Sequence, residues 1–125
     1  MGNFLWVGLG GFIGAVARYA VAVAMGPAAT LRFPWPTFTV NVLGCLAIGL
    51  LAGYFTRVPA PEHLRLFLVT GILGGFTTFS AFGVESLGLL RRGDHALGLA
   101  YAGGSVLVGL LAVWLGFRLA SGGQG

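Results

Sequence analysis

Charge is what this chain has least of. Of its 125 residues, 8% are Asp, Glu, Lys or Arg, against about 25% in an ordinary soluble domain. Lysine is absent. The seven basic residues are all arginine, and they face only three acids, Glu62, Glu85 and Asp94. So few charges cannot cover a water-facing surface, which excludes a soluble globular fold. Cysteine is nearly absent too. Cys45 stands alone inside an apolar run, so no intrachain disulfide is possible and a packing role is expected. Clustered basic residues are also missing. The formal charge is +4, but the arginines are scattered singly or as the Arg91-Arg92 pair, with no basic stripe. Nucleic acid is therefore excluded as a partner. There is no phosphate-binding loop, acid/base pair, nucleophile constellation or metal-ligand cluster, which excludes an enzyme. His63 and His95 fall in loops. The N-terminus lacks the basic region of a signal peptide, and Trp6 breaks the myristoylation pattern.

What is present is apolar length. Hydrophobic residues make up 57% of the chain, and the mean hydropathy is +0.93. A membrane-crossing helix needs about 20 mostly apolar residues, and four such runs occur, at about 4–25, 38–56, 64–90 and 96–117. They predict an all-α membrane protein with lipid as its solvent, a single transmembrane domain over 1–125. The connecting stretches PAATLRFPWP, RVPAPEH and RRGDH hold most of the proline and charge, and the tail SGGQG reads as disordered. Glycine is abundant, at 23 residues. In membranes small residues let helix backbones approach closely. Gly10/Gly14, Gly49/Gly53 and Gly71/Gly75 carry the spacing for it, with packing inside one subunit the expected use.

Arginine also reports orientation. Four spans place Arg57, Arg65 and Arg118 on one side and Arg32, Arg91 and Arg92 on the other. Three against three gives no positive-inside bias. Either the chain inserts both ways and pairs as an antiparallel dimer, or weaker cues select one orientation.

Several residues do not belong in lipid without a partner. Arg18 lies inside the first span, where a charge marks a partner or a wet cavity. Glu85 lies at similar depth on the third span. Pairing with Glu85, lining a vestibule and snorkelling to headgroups are the three readings of Arg18. Asn41 sits in the second span and must face protein or water. Tyr101 and Ser105 share a face of the fourth span, as hydroxyl donors to an ion or to a neighbouring helix.

The third span carries the strongest signal, Gly71-Ile-Leu-Gly74-Gly75-Phe76-Thr77-Thr78-Phe79-Ser80-Ala81-Phe82. Two glycines followed by two β-branched threonines are poor helix formers, so the helix is expected to break here. Thr77, Thr78 and Ser80 offer themselves as N-caps of the second half. Freed carbonyl and N–H groups at mid-membrane need protein, water or ions, and broken helices are typical of ion sites. Phe79 and Phe82 share one face. They are core residues, or else a pair of electropositive ring edges able to hold a small anion.

At these residues the sequence resembles the Fluc-type fluoride channels, the CrcB family. The matching motifs are GGFIGAVARY, VNVLG and GGFTTFSAF, in order along most of the chain. The third is specific; the other two alone are weak. The resemblance implies a dual-topology antiparallel homodimer in a bacterial-type inner membrane, with two pores that export fluoride passively and relieve its toxicity. It makes Asn41 the pore amide and Phe79 and Phe82 the aromatic pair that fluoride passes. Ser80, Tyr101 and Ser105 become polar pore residues and Arg18 a vestibule residue. Gly74 and Thr77 become the carbonyl ligands of a structural Na+ at the dimer axis. Ala81 and Gly83 replace hydroxyl residues common in the family, and Pro36-Thr37 replaces a frequent Gly-Thr. Two other classes compete. A small multidrug-type transporter also has four spans, but it relies on a first-span acid where this chain has Arg18. A non-transporting membrane subunit accommodates the glycines but gives no account of the break beside Asn41.

Overall fold

The four apolar runs form four helical spans. The structure is a computed structural model that describes residues 1–27 and 31–123. Residues 28–30 of the first loop and 124–125 of the tail lie outside the described residues. Helix α1 is Gly2–Met25 and α2 is Trp35–Arg57. The third span, Glu62–Arg91, is composite. It begins as α3 (Glu62–Arg65), continues as a π-helix, π1 (Leu66–Leu73), and returns to one α-turn, α4 (Gly74–Phe76). After an interruption it resumes as α5 (Phe79–Arg91), and α6 is His95–Ala120. No strand occurs among the described residues. An unbroken backbone hydrogen-bond ladder is what hydrocarbon demands of a spanning segment.

The helices run slightly past the apolar runs, because the flanking residues continue the same ladder. Pro36 is tolerated in the first turn of α2, where its missing N–H has no intrahelical acceptor. The C-terminal ends of α5 and α6 close on glycine. Gly93 (φ 85°) follows α5, and the Asp94 N–H reaches back to the Leu89 carbonyl at 2.9 Å. Gly122 (φ 71°) does the same for α6, with the Gly123 N–H on the Arg118 carbonyl at 3.1 Å. Both are left-handed caps that satisfy orphan carbonyls. The start of the tail is therefore an ordered turn, with Ser121 buried, where the polar composition of SGGQG suggested disorder.

Few large side chains are buried within the protomer: Val40, Leu89 and Tyr101. Most of the apolar surface faces outward, as suits a chain dissolved in lipid. Contact between spans is made through glycine. A Cβ at Gly49, Gly53 or Gly116 would strike the backbone of Val113, Phe117 or Leu46, so α2 and α6 touch main chain to main chain. A Cβ at Gly10, Gly14, Gly71 or Gly75 would likewise meet the facing backbone between α1 and the third span. The three spaced glycine pairs thus serve packing within one subunit. Gly116→Val is expected to destabilise the fold by about 1–3 kcal/mol, the usual cost of overpacking. Thermal melting of the helical signal in detergent checks it.

Candidate ion pathway at the broken third span

The break falls at Thr77-Thr78, two residues beyond Gly75. Both threonines are extended (φ/ψ −88°/159° and −151°/122°). Gly74 and Gly75 stay helical, and Gly75 lies against the Gly11 carbonyl of α1. Of the three expected N-caps, Thr78 takes the role. Its Oγ1 accepts the Ala81 N–H at 3.2 Å and lies 3.3 Å from Ser80 Oγ. The Thr77 hydroxyl donates back to the Leu73 carbonyl at 2.9 Å. Thr78→Val, which removes the cap oxygen, is expected to cost about 1 kcal/mol, read as a lower melting temperature in detergent.

Asn41 closes the break. Its Nδ2 donates to the Thr78 carbonyl at 2.9 Å, and its Oδ1 accepts the Thr78 N–H at 2.8 Å. The amide mimics a peptide and pairs with both polar groups of one residue. One Nδ2 proton is left over, since the group carries two. Asn41 also lines a cavity of about 320 Å³ between α2 and the third span, together with Gly44, Gly74, Thr77, Thr78 and Phe79.

The rearranged N–H groups leave carbonyls without their helical donors. The Thr78 N–H goes to Asn41, so the Gly74 oxygen loses its partner four residues on. The Ala81 N–H goes to the cap, so the Thr77 oxygen loses its own. Gly75 is compensated differently. Arg18 reaches from α1 and donates Nε to its carbonyl at 3.1 Å. That contact corrects the pairing of Arg18 with Glu85: the two do not meet, because a carbonyl exposed by the break lies nearer the guanidinium. Arg18 also borders a cavity of about 130 Å³ with Thr37, Thr78 and Ala81.

Beyond the break, aromatic rings form a row. The Phe79 and Phe82 centroids are 5.6 Å apart, and Phe82 lies 5.0 Å from Tyr101. Phe33, from the first loop, meets Tyr101 edge-on at 5.3 Å. Phe79 is 83% exposed and Tyr101 is fully buried, so the row runs from the protomer surface inward. It ends at Glu85, whose two carboxyl oxygens accept the Tyr101 hydroxyl at 2.9 Å and the Thr37 hydroxyl at 2.8 Å. Tyr101 therefore already donates to a protein partner. Ser105 does not: its Oγ is buried and meets no partner. Ser80 is exposed at the cap.

Thr37 was not singled out from sequence, and Glu85 was noted only for its depth. A signal existed: Thr37 and Asn41 are four residues apart on one helix, and Phe82 and Glu85 are three apart. Each pair shares a face.

No full negative charge crosses lipid unaided, and a helix does not break at mid-membrane without a use. These features define a multi-pass helical membrane protein with a polar and aromatic path at an interrupted span. Comparison with known proteins makes the class specific. Residues 5–117 match the family described as CrcB-like protein, Camphor Resistance (CrcB). A fluoride-specific ion channel FluC of Methylobacillus flagellatus is 48% identical over 122 residues, covering 95% of this chain and 94% of that one. Another, of Novosphingobium aromaticivorans, is 48% identical over 122 residues, 94% of each. One of Rhizobium meliloti is 45% identical over 120 residues, 95% of this chain and 96% of its own. The chain belongs to the CrcB family.

Proposed function

We propose that the protein is a fluoride-specific ion channel of a bacterial inner membrane, passing fluoride down its electrochemical gradient and so relieving fluoride toxicity. The observation that carries the reading is the aromatic row Phe79–Phe82–Tyr101 beginning where the third span is interrupted. Fluoride is small and strongly hydrated, and a pore must replace its water with close donors. The spare Asn41 proton, the electropositive ring edges and the Ser105 hydroxyl supply them in turn. At the inner end the anion competes with the Glu85 carboxyl for the Thr37 and Tyr101 protons. Several modest sites in series allow both capture and release. Ser80 and Arg18 act at the margins, Ser80 beside the cap and Arg18 as a fixed positive charge that draws anions toward the path.

The exposed Phe79 and the cavity beside it suit a second copy of the chain. The even arginine count permits that copy to lie inverted, giving an antiparallel dual-topology homodimer bathed in membrane lipid. The Gly74 and Thr77 carbonyls, both deprived of helical donors, fit the ligand set of a structural Na+ at the dimer axis. Such an ion would neutralise carbonyl oxygens that otherwise repel an anion.

The test is ion efflux from liposomes carrying the purified protein. Fluoride is expected to leave rapidly and chloride to stay. Equal loss of both, or of neither, contradicts the reading.

A further inference from the structure

Among the described residues two side-chain oxygens are buried without a hydrogen-bond partner, Ser105 Oγ and Ser86 Oγ. Ser86 has no part in the pathway drawn above. A buried serine in a helix ordinarily donates back to the carbonyl four residues earlier, which here is that of Phe82, and this one does not. An orphaned donor is costly to keep, so a use is to be sought nearby.

Its position supplies one. Ser86 is one turn beyond Phe82 and three residues before Leu89, on the stripe of α5 that faces α6. Phe82 packs on Tyr101, and Leu89 lies against Gly98. Ser86 lies between these two contacts and follows Glu85, where the aromatic row ends. Ser105 lies one turn from Tyr101 in the opposite direction. The two free hydroxyls thus flank the Phe82–Tyr101 contact, one on each side.

We propose that Ser86 is a fluoride-coordinating residue, its hydroxyl taking the anion as it leaves the Phe82 ring for the Glu85 end of the path. This rests on the fluoride-channel reading. Fluoride efflux from liposomes tests it with three variants, each checked for helix content and elution volume. Ser86→Ala removes the donor and is expected to slow efflux about tenfold, the loss of one hydrogen bond to a charged group. Ser86→Thr restores the hydroxyl and is expected to return efflux to within about threefold of the parent, a difference under 1 kcal/mol. Ser86→Cys keeps the volume with a weak donor and should fall between them, which decides the matter if the alanine variant fails to fold. Parent-like efflux in folded Ser86→Ala or Ser86→Cys overturns the proposal. So does equal loss in the alanine and threonine variants, which marks a packing role. A parent protein that passes no fluoride defeats the channel reading itself, a different failure.

Discussion

Replacing Phe79 and Phe82 together by isoleucine is expected to slow fluoride efflux about hundredfold while leaving the protein folded. Isoleucine keeps an apolar side chain of moderate bulk but has no quadrupole. The electropositive edges that can meet an anion at each ring are lost. Taking each edge as about 1.4 kcal/mol, the two together give about 100-fold. The fold has little to lose at Phe79, which is 83% exposed in the protomer. Phe82 leaves its contact with Tyr101, but the hydroxyl of that tyrosine stays fixed on Glu85. Efflux from liposomes, with helix content as the control, measures the effect. Unchanged flux removes the rings from the mechanism.

Asn41→Ala is expected to be at least as severe, and for another reason. The amide is the partner of both polar groups of Thr78. Without it an N–H and a C=O are orphaned at mid-membrane, at about 1–3 kcal/mol each. The second half of the third span then loses its position, and Phe79 and Phe82 with it. The expected result is a lower melting temperature together with loss of fluoride efflux. Asn41→Asp separates the two roles. It retains an acceptor for the Thr78 N–H but sets a carboxyl oxygen against the Thr78 carbonyl, and it puts an acid beside the anion path. It should lose efflux at a smaller cost in stability than alanine. Full efflux in the alanine variant would mean that Asn41 is dispensable to both break and pore; full efflux in the aspartate variant would mean that its amide donor is.

How much of this was legible beforehand depended on the kind of signal. The four spans were open to reading because lipid allows little besides helices, and length and apolarity then decide. The break was readable from Gly74-Gly75-Phe76-Thr77-Thr78, and so were its three candidate caps; which of Thr77, Thr78 and Ser80 takes the cap was not. The glycines are poor helix formers in water, yet here both remain helical, and α1 packs where Gly75 has no side chain. The threonines carry the interruption instead. The π-helix at Leu66–Leu73 had no sequence signature, since nothing in LFLVTGIL distinguishes a bond to the fifth residue from one to the fourth. Arg18 and Glu85 were each marked as out of place in lipid, but partners cannot be assigned from depth alone. Arg18 found a carbonyl that exists only because the helix breaks. Glu85 found Thr37 and Tyr101, on two other spans, and only the packing of α2 and α6 against the third span brings those hydroxyls to one carboxyl. Asn41 reads from sequence as a pore amide; its pairing with Thr78 depends on how α2 packs against the break.

The account stands on fluoride moving alone through the interrupted span. The most direct measurement is the reversal potential of the purified protein in a planar bilayer, with a tenfold fluoride gradient opposed by a tenfold chloride gradient. A fluoride-only path predicts reversal at the fluoride equilibrium potential, about 59 mV for a single charge. Reversal near zero, where the two anions carry current equally, or at the chloride potential, would contradict it.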